Sequence, residues 1–150
     1  MIVDEYRETQ VLTASPQQLH LMVVEAALLY ARRAVHALEA GNREDAYFTL
    51  NRSREFVSEL LVGLRSDHDP ELCGNLKQLF SFVFHRLAVA DLEQNPKRVN
   101  EAILILEKHR DTWIELMSVI QSDNSPHSFP AYEDGNPAGD DSPHSRSWSV

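Results

Sequence analysis

The chain has few of the features that mark secreted or membrane proteins. It is 150 residues long and has one cysteine, Cys73, which excludes an internal disulfide and a cysteine-based zinc cage. Its longest unbroken apolar run is six residues, Ala26 to Ala31, whereas a membrane-spanning helix needs about 20. The opening residues, 1–5, have no basic start before an apolar stretch and do not fit a signal peptide. The sequence predicts a soluble, one-domain protein of a reducing compartment such as the cytoplasm.

Basic residues are scarce relative to acidic ones. Lys and Arg number 14 against 23 Asp and Glu, which gives a formal net charge of −9. Binding to nucleic-acid phosphates needs clustered Lys and Arg that displace counterions. Here the pairs Arg32/Arg33 and Arg52/Arg54 are interleaved with acids along the chain. The charge balance therefore argues against a nucleic-acid partner, and it favours solubility.

Glycine and proline are few, and their positions predict where helices begin and end. Three of the seven prolines follow a residue type that caps helix N-termini, in the pairs Ser15-Pro16, Asp69-Pro70 and Asn95-Pro96. Proline suits the first helical position because a helix leaves that N–H unpaired anyway. Ser15 and Gln18 also fit a capping box, and Gly41 is a predicted helix stop before a fourth N-cap, Asn42. The intervals that these signals define contain no proline: 17–40, 43–65, 71–93 and 97–122.

Each interval carries apolar residues at helical spacing, and no segment alternates with the period of two that a strand needs. The second, third and fourth intervals each have one stripe: Ala46, Leu50, Val57, Leu60, Leu61 and Leu64, with Ser53 in the gap; Leu72, Leu76, Leu79, Phe80, Val83, Leu87 and Ala90; and Val99, Ile103, Leu106, Arg110, Trp113, Met117 and Ile120. Because the connections are short, neighbouring helices should be antiparallel. The sequence predicts an all-α protein, an up-and-down antiparallel four-helix bundle over residues 15–122 preceded by an N-terminal arm, 1–14.

The composition changes after residue 122. Residues 123–150 hold six Ser and four Pro, and the tetrapeptide Ser-Pro-His-Ser occurs there twice. Such a segment cannot bury enough apolar area to offset the ordering of its backbone, which costs about 1–2 kcal/mol per residue. We predict a disordered, acidic, Ser/Pro-rich tail. Its aromatic residues are Phe129, Tyr132 and Trp148. They are either side chains without a partner or a short docking motif.

The residue patterns that would support catalysis or metal binding are missing. A di-iron site in a helical bundle needs Glu three residues before His, and none of the seven histidines has it. Histidine phosphotransfer needs a Lys and a Gly just after the histidine, which His36, His85 and His109 lack. Cys73 has no histidine with a sequence-level reason to lie beside it, and the chain has no glycine-rich phosphate loop. We expect no enzymatic activity, no catalytic residue, no metal and no cofactor.

The first helix has more apolar residues than one face of a bundle helix needs. It carries two stripes: Leu21, Val24, Leu28, Ala31, Val35 and Leu38; and Leu19, Met22, Val23, Ala26, Tyr30 and Ala34. Its polar residues, His20 among them, are few. In the third helix, Phe82 and Phe84 lie off the core stripe. A large exposed apolar patch marks a partner site, and amphipathic helices dock into such grooves. The alternative is a broader core that the N-terminal arm helps to cover.

The chain contains three ordered blocks of a recognisable pattern: Tyr6-x4-Val11-Leu12-Thr13-Ala14-Ser15-Pro16 followed by Leu19 and Met22; Asn75-Leu76-x2-Leu79-Phe80-x2-Val83-x2-Arg86-Leu87-x2-Ala90; and Leu106-x3-Arg110-Asp111-Thr112-Trp113. Together these blocks resemble the FliS family of flagellar secretion chaperones. The resemblance covers about Tyr6 to Leu116. The chain departs from the family at Val24 and Ala26, where relatives commonly have an aromatic residue and a glycine.

The resemblance implies a cytoplasmic, non-catalytic chaperone for the C-terminal segment of flagellin. In such proteins this segment wraps around the bundle, which prevents premature polymerisation before export by the flagellar type III apparatus, and the loaded complex contacts the export-gate protein FlhA. It also implies that the arm covers part of the groove when flagellin is absent. The alternative functions are a helical adaptor for a different amphipathic partner and a histidine phosphotransfer bundle, of which the residue pattern favours the adaptor. The predicted partner-binding residues are Tyr6, Val11, Leu12, Leu19, Met22, Val23, Ala26, Tyr30, Phe82 and Phe84.

Overall fold

Four helices make up the part of the chain that the structure describes. A computed structural model describes residues 13–65 and 69–123. The helices are α1 (Pro16–Glu39), α2 (Arg43–Val62), α3 (Pro70–Glu93) and α4 (Pro96–Asp123), and no strand occurs within those two ranges. The predicted all-α class is confirmed. The arm up to residue 12 and the tail after residue 123 lie outside the described residues.

The helix starts have the capping groups that the sequence predicted. At the start of α1 the Ser15 Oγ accepts from the Gln18 N–H at 3.1 Å, and the Gln18 side chain accepts from the Ser15 N–H at 2.9 Å. This is the predicted capping box, which satisfies N–H groups that have no partner inside the helix. Asn42 and Asp69 cap α2 and α3 in the same way, through N–H groups three residues on. Gly41 has φ +72°, a left-handed conformation that glycine adopts without steric cost.

The helices form a closed ring in which each one packs against two neighbours. Helix α1 contacts α2 and α4, and α3 contacts the same two helices. Connections of three residues (40–42) and two residues (94–95) force α1 against α2 and α3 against α4 as antiparallel pairs. The Ser53 hydroxyl donates to the Ala27 carbonyl at 2.8 Å, so the single polar position in the α2 stripe is satisfied inside the core.

The core is built from one face of every helix and matches most of the predicted stripes. Its largest fully buried apolar side chains are Phe80, Leu28, Leu50, Leu60, Leu87, Leu106, Val24, Val57, Val83 and Val99. They interdigitate in one continuous cluster that Trp113 extends toward the C-terminal end of α4. Close packing of this kind makes the bundle interior sensitive to any change of side-chain volume.

Between α1 and α4, the polar positions that approach the core are occupied by histidines rather than by Arg110. Arg110, predicted inside the α4 stripe, is half-buried at the edge of the bundle and pairs with Asp111 at 3.0 Å. The polar member of the inward face is His109, three residues rather than four after Leu106. His20 on α1 is completely buried, and His109 on α4 is half-buried. The two imidazoles contact each other between α1 and α4.

Removing the capping hydroxyl at Ser15 should destabilise the bundle. We expect Ser15→Ala to lower the free energy of unfolding by about 1 kcal/mol, because the Gln18 N–H loses its acceptor. Urea denaturation followed by circular dichroism measures this change. The control is Ser81→Ala at an exposed position within α3, which should leave stability unchanged or raise it slightly. Equal stabilities for Ser15→Ala and the wild type would contradict the capping role.

Candidate functional site

The outer surface between α1 and α2 brings together four of the predicted partner-binding residues. Leu19, Met22, Ala26 and Tyr30 recur at steps of three and four residues, so they share one face of α1. All four are half-buried. The Tyr30 ring reaches across to α2, where its centroid lies 6.0 Å from that of Phe56. We call the surface formed by these five residues and Phe48 the α1–α2 seam.

Val23, predicted with this group, lies in the core beneath the seam. It is 7% exposed and packs in the same cluster as Val24 and Ala27. The buried residues of the two predicted α1 stripes therefore form one face. Leu19, Met22, Ala26 and Tyr30 stay partly accessible on its α2 flank, and Leu21, Val35 and Leu38 of the first stripe are half-buried as well.

Aromatic rings and arginines form one end of the seam. Tyr30 stacks on Phe56 with an interplanar angle of 19° and meets Phe48 edge-on at 6.4 Å, and Phe48 is 55% exposed. The guanidinium carbons of Arg33 and Arg52 lie 5.4 and 5.5 Å from the Tyr30 ring centroid, within the range of cation–π attraction. Hydrogen bonds with Tyr30 and then with Glu55 raise the pKa of Arg52. This end of the seam is therefore both apolar and cationic.

Phe82 and Phe84 do not belong to the α1–α2 seam. The Phe82 ring, 39% exposed, lies under the Arg86 guanidinium at 4.8 Å, and Arg86 faces Glu101 of α4 at 3.9 Å. Phe82 is thus on the α3–α4 side of the ring of helices, opposite the seam. Phe84 is half-buried against the core. Three more predicted residues, Tyr6, Val11 and Leu12, lie outside the described residues.

A histidine pair between α1 and α4, with His20 fully buried and His109 half-buried, is the polar feature that sequence reasoning missed. The Nε2 atoms of His20 on α1 and His109 on α4 are 2.8 Å apart, so one imidazole donates and the other accepts. The Trp113 ring is 4.2 Å from His20, and the Phe80 ring meets His109 edge-on at 5.1 Å. Burial lowers the pKa of His20 well below its usual value, and the neighbouring His109 adds to this. Burial also lowers the pKa of His109 to about 4.

The histidine pair is neutral near pH 7 and holds α1 against α4. The Trp113 indole N–H donates to the Gln17 carbonyl at 3.0 Å one turn away, which ties the same two helices together. No group of three metal-ligating side chains occurs in the part of the chain that the structure describes. A shallow depression of about 330 Å³ opens beside His109, lined also by Leu79, Ile105, Lys108 and Thr112. Each histidine occupies a position of an apolar helical face at the spacing of its neighbours, which indicates that it faces the core but does not identify its partner.

With this geometry in view, comparison with known proteins assigns the chain to a family. The model of the family described as flagellar protein FliS matches residues 2–120. The chain belongs to the FliS family. The match includes all of α1, α2 and α3 and all but the last turn of α4.

Relatives from distant bacteria share this assignment. The chain is 28% identical over 111 residues to the flagellar secretion chaperone FliS of Campylobacter jejuni, an alignment that covers 74% of this chain and 87% of the relative. It is 28% identical over 109 residues to that of Escherichia coli (72% and 80%) and 25% identical over 108 residues to that of Bacillus subtilis (72% and 80%). The FliS match ends before the tail. None of the described helices is both long and apolar enough to cross a bilayer.

The histidine pair predicts a specific pH dependence of stability. A lowered folded-state pKa means that the unfolded chain binds the proton more readily, so stability is complete above about pH 6.5 and falls as the pH drops toward 4. His109 alone should remove about 2 kcal/mol between pH 7.5 and pH 5. Urea denaturation at both pH values measures this. The double variant His20→Leu/His109→Leu should lose most of the slope, whereas His36→Gln, at an exposed position on α1, should keep it. An unchanged slope in the double variant would contradict this account.

Proposed function

We propose that the protein is a cytoplasmic, non-catalytic chaperone that binds the C-terminal segment of flagellin. In this role it prevents premature polymerisation and supports delivery of flagellin to the flagellar type III secretion apparatus for filament assembly. The observation that carries the proposal is the FliS family match over residues 2–120 in a bundle whose α1–α2 seam leaves apolar side chains partly accessible. The relatives are named flagellar secretion chaperones.

The physical requirements of such a chaperone agree with the seam. A filament-forming segment has an apolar stripe that would otherwise pair with copies of itself, and a groove between two helices suits a stripe of that kind. The client must also be released at export. Because a disordered client pays several kcal/mol of ordering entropy on binding, a wide apolar interface still gives reversible affinity.

The proposal includes a place in the export route. We infer that the loaded complex meets the export-gate protein FlhA, and that the chaperone takes no nucleic-acid partner and does not insert into the membrane. The net charge of −9 would repel nucleic acid and anionic lipid head groups. The specificity of the complex would therefore come from its contacts with flagellin and FlhA, and not from contacts with nucleic acid or lipid.

Titration with a peptide of the flagellin C-terminal segment tests the proposal. We expect saturable binding in calorimetry and a gain of helicity in circular dichroism, since the peptide orders on the bundle. Pull-down from the native cytosol separates this function from a general helical adaptor, because flagellin should dominate the bound fraction. Absence of flagellin from that fraction, together with no binding of the peptide, would reject the proposal.

A charge placed in the seam should weaken flagellin binding without unfolding the bundle. Ala26→Glu puts a carboxylate on the partly accessible flank of α1, where an apolar client would bury it unpaired, so we expect at least tenfold weaker binding. Calorimetry gives the affinity and thermal denaturation checks the fold. Ser118→Glu, which adds the same charge at an exposed position of α4, is the matched control and should bind normally. Equal affinities for the two variants would place the client elsewhere.

The N-terminal arm should compete with the client for the apolar surface. Its apolar residues are Ile2, Val3, Tyr6, Val11 and Leu12. Because five apolar side chains in a segment too short to fold alone need a surface to cover them, we expect the arm to act as a lid. Deleting residues 1–12 should leave the bundle folded and tighten, or at least not weaken, flagellin binding in calorimetry. A large loss of affinity would instead make the arm part of the binding site.

A further inference from the structure

The α1–α2 seam has cations at one end only. From Leu19 to Tyr30 the accessible flank of α1 is apolar over eleven residue steps, about 16 Å of helix. Arg33 follows one turn later, and Arg52 approaches the same Tyr30 ring from α2. A client helix lying in the seam would therefore meet apolar side chains along its length and two guanidinium groups at one end.

Arg33 differs from its neighbours in having no carboxylate partner among the described residues. Arg32 pairs with Glu107 at 2.8 Å, and Arg52 pairs with Glu55 at 2.7 Å in an exposed contact. Arg33 instead rests over the Tyr30 ring. A guanidinium that stacks on a ring through its face keeps N–H donors at its edge, in the fork geometry that matches a carboxylate.

Acidic groups lie just past the cationic end of the seam. Phe48, which touches Tyr30, also lines a depression of about 450 Å³ whose other walls are Asn42, Glu44 and Asp45. The carboxylates of Glu44 and Asp45 disfavour an anion beyond the two arginines. An anionic group of the client is therefore favoured beside Arg33 and disfavoured further along the seam.

We infer that Arg33, supported by Arg52, binds the terminal α-carboxylate of the client chain, so that the last helix of the client lies in the seam parallel to α1. The inference rests on the proposed function, because a C-terminal segment brings one α-carboxylate whatever its sequence. On a protein of net charge −9 that anion needs a local cationic site. The negative end of the client helix dipole lies at the same place and adds to the attraction.

Arg86, which lies over the Phe82 ring, does not offer an equivalent binding site for an anion. Arg86 also stacks on a ring there, but it shares the Glu101 carboxylate with Arg98, which lies 3.3 Å from it. An anion arriving at Phe82 would face Glu101 as well as Arg86. Among the described arginines that stack on an aromatic ring, Arg33 alone has no such competing acid within ion-pair distance.

A comparison of two peptides tests the inference. The probes are the flagellin C-terminal peptide with a free carboxylate and the same peptide with a C-terminal amide. We expect the amide to bind the wild-type chain about threefold to tenfold more weakly, as for a charge-assisted contact at a partly exposed site. Against Arg33→Gln the two peptides should bind within twofold of each other. Lys77→Gln, which removes one positive charge from an exposed position of α3, should keep the full difference.

The outcomes separate this inference from the proposed function. Tight binding of both peptides to the wild type with equal affinity overturns the carboxylate site and leaves the chaperone function standing; a client side-chain carboxylate would then be the anion at Arg33. Failure of both peptides to bind overturns the proposed function together with the inference. If Arg33→Gln lowers the melting temperature, Arg52→Gln takes its place in the same comparison.

A cross-linking readout checks the direction of the client helix independently of affinity. A benzophenone side chain at the last residue of the free-acid peptide should, on irradiation, attach to the stretch of α1 and α2 around Tyr30 and Phe48, identified by mass spectrometry of the digested complex. Attachment near Leu19 would show the client helix antiparallel to α1 and would overturn the inference.

Discussion

A closed ring of four helices gives each helix one inward face, and α1 has more apolar side chains than that face can bury. Small residues keep the inward face compact: Ala27, Ala31 and Ala34 are fully buried and let α2 and α4 approach closely. The larger side chains on the flank, Met22 and Tyr30 among them, are left partly accessible beside α2. The seam is thus a direct result of fitting this sequence into this architecture, because no fifth helix is present in the described chain to cover it.

Local signals made the fold predictable, whereas the site depended on how the helices meet. The caps at Ser15, Asn42 and Asp69 act within one turn, so sequence alone located the helix starts. Ser53 could be placed inside the core because its stripe left no other position for it. Periodicity on a single helix, however, does not say which neighbour each flank will face. It therefore grouped Phe82 with Tyr30, although the ring of helices separates them.

The pairing of His20 with His109 could not be predicted from one helix at a time. A buried imidazole is unfavourable without a partner, and each histidine taken singly belongs on a surface. His20 and His109 are 89 positions apart, and only the packing of α1 on α4 brings their Nε2 atoms to 2.8 Å. Once paired, each imidazole is the hydrogen-bond partner of the other, and the rings of Trp113 and Phe80 pack against them. The hydrogen bond between the two neutral imidazoles also restricts how far α1 can shift along α4, because this bond needs a fixed geometry that apolar contacts do not.

The two kinds of contact in the seam have different consequences for a client that must be released. Apolar contacts along Leu19 to Tyr30 are non-directional and would hold any amphipathic helix of suitable length. The guanidinium groups beside Tyr30 are directional and are weakened by salt, so they contribute less to total affinity than to the choice of one end and one register. In the proposed complex, binding energy would be spread over a surface from which the client can peel away, while the charge contact would fix where the client chain ends. A chaperone that bound its client in the proposed way would stay selective without becoming a permanent partner, because its discrimination would reside in a solvent-accessible contact that salt weakens.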